Sequence, residues 1–159
     1  MTMTTAESLA RYYGIIHNVV NRQLDGLTNE ESLIQPPFRG NCLNWVLGHI
    51  VFSRTPVLTL LQADVPWSEE EAARYQRNSE PVTSAEGTVP FDRLRDYFEA
   101  SHTRIMAGLQ HISPERMALA DDDGSTVGEE IAFLQWHETY HVGQLDHLRQ
   151  LAGKNDKVI

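Results

Sequence analysis

The sequence predicts an all-α protein, a four-helix bundle with a long connection between helices two and three. Four stretches of the 159-residue chain repeat apolar residues at spacings of three and four, the period of one helix face. No segment shows the alternation of apolar and polar residues that marks a half-buried strand between hairpin turns. Four amphipathic helices must then cover one another's apolar faces, and a bundle does this.

The first two helices are predicted at residues 5–24 and 43–61, where apolar residues follow the helical period. The turn-prone residues 35–41 separate them. Because Pro56 lacks an N–H group, we expect it to remove the bond to the Phe52 carbonyl and to kink or interrupt helix two.

The connection between helices two and three is long, about 26 residues after Ala63. Within it, Ser68 and Glu71 have the spacing of a capping box that opens a short helix. A connection of this length permits a crossover, so helices two and three need not be antiparallel neighbours.

Helices three and four complete the predicted bundle. Pro90 stands at a favourable first-turn position of helix three, whose apolar face covers residues 91–112. Helix four is the clearest, because its apolar face alternates steps of four and three from Val127 to Ala152. Gly153 supplies a stop.

Length and charge narrow the possible partners. The chain suits one domain, residues 1–159, and its net charge of -9 would repel nucleic-acid phosphates. It shows neither a basic and apolar leader nor an apolar run long enough to cross a bilayer, so we expect a cytoplasmic protein without membrane contact. The single cysteine, Cys42, cannot form an internal disulfide, which agrees with a reducing compartment.

Residues 137–141, with the sequence His-Glu-Thr-Tyr-His, carry the strongest chemical signal. His137 and His141 are four residues apart on a predicted helix, so they lie on one face and can hold one metal ion. Imidazole is a common ligand of zinc and nickel, and a catalytic zinc site typically has three protein ligands and an open position. One further ligand is therefore required.

The same residues match the H-E-x-x-H motif of zinc proteases, in which the glutamate is the general base. The fit is poor. The metzincin pattern places a glycine that ends the helix before a third histidine, whereas Gly143 comes one position early and good helix formers follow it. In a continuous helix His147 turns away from the pair, and no glutamate follows it.

Among the remaining histidines, His49 is the best candidate for the third ligand. It lies mid-helix beside the apolar face of helix two, next to Gly48. A glycine inside a helix costs about 1 kcal/mol, which suggests close approach by another backbone or a ligand. We interpret His17, His102 and His111 as ordinary polar or capping residues.

Several segments resemble a known family. They are residues 44–49 (Asn-Trp-Val-Leu-Gly-His) of helix two and residues 137–145 and 148–153 of helix four. With the helix order and spacing of essentially the whole chain, they resemble the DinB/YfiT-like superfamily of bacterial four-helix-bundle metalloenzymes. Members carry a divalent metal, often nickel or zinc, on one histidine of helix two and an H-x-x-x-H pair of helix four. The pattern maps to His49, His137 and His141, and the resemblance also implies homodimers.

The resemblance also implies a function. Better understood relatives are S-transferases and isomerases that use bacillithiol, mycothiol or glutathione, in which the metal binds the cofactor thiol as thiolate. We therefore expect a metal-dependent S-transferase acting on a small molecule with a low-molecular-weight thiol. Glu138 is the catalytic candidate, able to orient a water or substrate, but it can equally serve as an acceptor behind a ligand or as a solvated charge. The alternative is a non-catalytic metal-binding or stress-associated member.

Overall fold

The computed structural model describes residues 5–122 and 124–159. These residues form helices and no β-strand, apart from one isolated bridge between Ala120 and Thr126. The four long helices are α1 (Ala6–Leu24), α3 (Leu43–Leu60), α5 (Phe91–His111) and α7 (Val127–Leu151). The short helices are α2 (Asn29–Ser32), α4 (Glu69–Ala73) and α6 (Pro114–Met117). The all-α prediction is confirmed.

Most helix ends lie where the local chemistry predicts them. The Ser68 side chain and Glu71 form the predicted capping box, which opens α4. Gly153 follows the end of α7 with φ of 84°, a left-handed conformation that glycine adopts without steric cost. Pro90 is the N-cap of α5, one residue before the predicted first-turn position.

We expected a kink or an interruption at Pro56, and the interruption is not present, because α3 runs through it to Leu60. Proline removes one intrahelical bond near the end of the helix. The next two residues, Val57 and Leu58, are almost fully buried against the rest of the bundle. Burial of their side chains holds the last turn in the helix despite the missing bond.

The four long helices form a closed ring in which α1 and α3 each pack against both α5 and α7. The C-terminal ends of α1 and α7 meet, since Gln23 donates to the Val142 carbonyl and Arg149 donates to the Gln23 carbonyl. The C-terminal ends of α3 and α5 meet where Leu61 packs against Gly108. Helices α3 and α5 are therefore parallel, which requires the predicted crossover between them.

Two apolar clusters fill the bundle, one towards each end. Between them lies a buried polar layer of Arg54 on α3, Ser101 on α5 and Glu138 on α7. No helix in the described part of the chain combines the length and apolar character needed to cross a bilayer. The metal-ligand candidates lie beside the polar layer, where α3 faces α7.

Candidate metal centre

The three histidines predicted as metal ligands come together between α3 and α7. His137 and His141 lie one turn apart on α7, and His49 faces them from α3. One potential ligand atom from each residue lies within 4.8 Å of the other two. The Nε2 atoms of His137 and His141 are 3.2 Å apart. His49 and His141 are largely buried, and His137 is half-buried at the edge.

Hydrogen bonds orient two of the three rings. Nδ1 of His49 lies 2.7 Å from the Tyr75 carbonyl oxygen, and Nδ1 of His141 lies 2.7 Å from Oε1 of Gln144. Both partners accept, so each Nδ1 carries the proton and each Nε2 keeps a free lone pair. This is the usual arrangement behind a metal-binding histidine. Nδ1 of His137 is buried and has no partner among the described residues.

Burial lowers the pKa of all three imidazoles, because loss of water disfavours the charged ring. The pKa of His141 falls to about 4, even though its bond to Gln144 opposes the shift. The bond to Tyr75 likewise opposes the lowering at His49. The rings are therefore neutral near pH 7, and neutral imidazole is the form that binds a metal.

An arginine adds positive charge near the site. Arg77 follows Tyr75 by two residues. Burial lowers the pKa of His137 most, the Glu138 charge opposes this shift, and the Arg77 charge adds a smaller lowering. The side chain is exposed and makes no ion pair within the residues that the structure describes. A cation at this position favours an anionic ligand beside the histidines.

The donor set fits a divalent metal of the zinc or nickel class. Two imidazole nitrogens bound to one tetrahedral ion at about 2.0 Å are about 3.3 Å apart, close to the 3.2 Å between His137 and His141. No fourth histidine, cysteine or carboxylate joins this group in the described part of the chain. Three neutral nitrogen donors leave at least one position for water or another ligand.

Glu138 points away from the histidines into the polar layer. Its two carboxylate oxygens accept from Nε and Nη2 of Arg54, at 3.0 and 2.6 Å. Nη1 of Arg54 donates to the Phe98 carbonyl and the Ser101 hydroxyl, and the guanidinium lies over the Phe98 ring. Both charged side chains are at most 1% exposed. A general base at this position would first have to give up a buried bidentate ion pair.

Residues 16–145 match the model of the DinB superfamily. The chain belongs to the DinB superfamily. A crystal structure of a conserved protein from Enterococcus faecalis has the same fold, with a TM-score of 0.73 over 95% of this chain and 98% of that one, at 16% sequence identity. No curated protein matches the chain.

Aromatic side chains enclose His49 in this DinB-superfamily chain. Trp45 stacks on its ring with centroids 4.8 Å apart. The close approach expected at Gly48 is present, but a side chain makes it, since a Cβ there would lie 2.1 Å from the Tyr75 ring. Trp136, one residue before His137, is 61% exposed and is not a packing residue of the core.

The remaining histidines do not belong to this group of three. His17 lies 2.9 Å from the Glu99 carboxylate and stacks on His102. His111 occupies the last turn of α5, as expected. Nδ1 of His147 bonds to the Gly143 carbonyl of its own helix, and α7 continues past it to Leu151. The metzincin-type turn is therefore absent from this part of the chain.

Two residues that orient the histidines, and the arginine that holds Glu138, were not predicted. Gln144 follows His141 by three residues, so the helical period could have identified it. Arg54 is a charged residue in an otherwise apolar helix, which signals a buried partner. The Tyr75 carbonyl comes from the long connection, and nothing in the local sequence indicates its contact with His49.

Proposed function

We propose that this protein is a metal-dependent enzyme that uses a low-molecular-weight thiol, most simply as an S-transferase. The observation that carries the proposal is the convergence of three neutral imidazoles with no fourth protein donor among the described residues. The half-buried His137 leaves this group reachable from one side. A purely structural zinc site has four protein ligands and no open position.

The residues present suit thiol chemistry. A divalent cation held by His49, His137 and His141 would lower the pKa of a bound thiol, so that the nucleophile exists at neutral pH. Tyr75 and Gln144 fix two of the imidazoles. The Trp45 ring covers one face of His49 and keeps water from it. Arg77 offers a counter-charge to a carboxylate of the thiol cofactor, as on glutathione.

The experiment has two steps. Protein purified without chelator is first analysed for its metal content, and binding of glutathione, bacillithiol and mycothiol is then measured by calorimetry with zinc or nickel bound. We expect binding that requires the metal. We also expect the thiolate to substitute the chloride of monochlorobimane, so that a carbon–sulfur bond forms, the carbon–chlorine bond breaks, and chloride and the thiol proton are released to solvent. The His141→Ala variant is the control that should lose both properties.

The alternative is a non-catalytic metal-binding or stress-associated protein. It would hold a stoichiometric metal yet bind none of the three thiols, so the same experiment separates the two functions. A protease is disfavoured, because Glu138 is held by Arg54 and the described residues offer no strand edge for a peptide substrate. Metal-dependent cleavage of casein that disappears in a Glu138→Gln variant would reverse this ranking.

We also propose that two copies associate as a homodimer. The outer face of α7 exposes Phe133, Trp136 and Tyr140, each at least 60% accessible. Three large aromatic residues on one helix face are typical of a surface that a partner covers. Light scattering should give twice the chain mass, and a Trp136→Ser variant should shift the protein towards the monomer; a wild-type monomer at all concentrations would contradict the proposal.

A further inference from the structure

A second polar site lies near the end of the bundle where α3 and α5 finish. A cavity of about 670 Å³ opens there, lined by residues 60–64 and 111–113 and by Arg104, Ala107, Gly108 and Arg116. None of the histidine ligands lines it. Along α3, residue 60 is eleven residues from His49, which is roughly 17 Å at the helical rise. The cavity is therefore separate from the metal centre.

Two arginines in this cavity have unmet hydrogen bonds. Nη1 of Arg104 and Nε of Arg116 are shielded from solvent and have no partner among the described residues. Neither side chain forms an ion pair there. A shielded donor without a partner is unfavourable, and more so when it is charged. The other guanidinium N–H groups of both arginines are open to solvent and also have no partner among the described residues, so these are the donors that an acceptor in the cavity can reach.

The charge of the lining indicates which acceptor fits. Arg104 and Arg116 contribute two cations, Asp64 contributes one carboxylate, and His111 adds a further cation when protonated. This positive lining belongs to a chain whose net charge is -9. Guanidinium groups bind phosphate and carboxylate through paired N–H donors. Asp64 would accept from a hydroxyl or amino group on the same ligand.

The turn that ends α3 forms part of the cavity wall. Gln62, which lines the cavity, has φ of 57°, a left-handed conformation that is unfavourable for a residue with a side chain. This conformation ends α3, because the Gln62 N–H donates to the Thr59 carbonyl and the Ala63 N–H donates to the Leu58 carbonyl. Across the cavity, Gly108 packs so closely on Leu61 that a Cβ would lie 2.8 Å from the Leu61 Cβ. Backbone from both helices is thereby brought to the cavity wall.

We propose that this cavity binds a small metabolite bearing a phosphate or carboxylate group, held by Arg104 and Arg116. The site is independent of the metal centre and of the proposed thiol chemistry. The cavity thus binds a second ligand, which it selects by negative charge, at a distance from the histidines.

The test is a titration of the full chain, in which the amide resonances of the protein are the readout. Inorganic phosphate and succinate are the two probes, and sodium chloride at equal ionic strength is the reference. We expect saturable shifts at the amides of Gln62 and Gly108 with at least one probe. The stronger probe identifies the preferred oxyanion.

Matched variants assign the binding to the arginines. Arg104→Gln and Arg116→Gln should each lower the affinity for the probe about tenfold or more, since each removes a charged pair of donors. Arg39→Gln, an exposed site before α3 at the other end of the bundle, removes the same charge and should change nothing. If a glutamine variant fails to fold, Arg104→Lys is used instead. It keeps the charge, removes the paired N–H donors of the guanidinium group and should still weaken binding.

Any of the following results would overturn the proposal. The first is the absence of any saturable shift, and the second is equal shifts with chloride. The third is unchanged affinity in the folded arginine variants, or shifts confined to residues 137–141, which would place the oxyanion at the metal centre.

Discussion

Helix α7 contributes to two neighbouring polar clusters, one around Glu138 and one around His137 and His141. They differ in whether their polar atoms are paired within the protein. At Glu138 the bonds close within the protein, because both carboxylate oxygens meet Arg54 and the rest of the guanidinium meets α5. At His137 and His141 the Nε2 atoms face each other and His49, and no backbone or carboxylate group completes them.

The difference separates a structural cluster from a binding cluster. A polar group whose donors and acceptors are all paired internally holds helices together, whereas lone pairs that converge need a cation. The H-E-x-x-H motif runs across both clusters. Its histidines face α3 at the edge of the bundle, and its glutamate faces the core, so a motif match here describes two different sites.

The largest effect is expected from His141→Ala. Removing one of three donors should abolish tight metal binding, an affinity loss of about a thousandfold or more, or about 4 kcal/mol. The unfolding free energy of the metal-free variant should lie within about 1 kcal/mol of that of the metal-free wild type, because the hydrogen bonds of this ring reach only Gln144 and His137 of its own helix. Elemental analysis and urea unfolding measure the two quantities. Stoichiometric metal in the purified variant would make the ligand assignment wrong.

Glu138→Ala should produce the reverse pattern. Leaving Arg54 buried without its partner should cost about 3–5 kcal/mol of unfolding free energy. Metal affinity of the folded variant should stay within about threefold of wild type. The double variant Arg54→Met with Glu138→Leu should recover most of the stability, since it removes both charges. A loss of metal without a loss of stability would assign Glu138 to the histidine site instead.

The sequence predicts the fold well because its signals are local. The helical period and the turn residues are enough to bound the four long helices, and the capping box at Ser68 is recognised from two residues. The short helices α2 and α6 were not predicted, since four residues are too few for an apolar period. The interruption expected at Pro56 failed because burial of Val57 and Leu58 outweighs one lost bond.

The site is predictable only in part, for a related reason. The spacing of His137 and His141 places them on one face, but the direction of that face depends on tertiary packing. The bond from Arg54 to Glu138 joins residues 84 positions apart. The bond from His49 to the Tyr75 carbonyl depends on the path of a long connection. Such contacts leave no periodic signal in one sequence.

A moderate effect is expected from Gln144→Ala. Gln144 accepts from Nδ1 of His141 and so fixes the ring that presents Nε2 to the site. Loss of a partner behind a metal ligand typically lowers affinity by about 10- to 100-fold. Gln150→Ala, on the same helix but bonded to Asp146, is the matched control. Equal metal affinity for both variants, measured by chelator competition, would show that Gln144 does not orient the ligand.

The smallest expected effect is a loss of stability at acid pH caused by His102, a residue near the Arg54 and Glu138 cluster. Burial lowers the pKa of His102 to about 4, with further lowering by the charges of His17 and Arg54 and opposition from Glu99. The unfolded chain binds this proton near pH 6.5, the folded chain only near pH 4. Stability is therefore complete above about pH 6.5 and is lost as the pH falls towards 4.

Replacing His102 by glutamine should reduce the loss of unfolding free energy at acid pH by roughly 1 kcal/mol. This value is reduced for the partial exposure of the ring. The measurement is urea unfolding of metal-free protein at several pH values between 4 and 7. His111→Gln, at the end of α5, is the control because its ring is exposed. An equal loss of unfolding free energy at acid pH in the two variants would mean that groups other than His102 cause the acid sensitivity. A flattening confined to His102→Gln would place this sensitivity beside the Arg54 and Glu138 cluster, apart from the metal ligands.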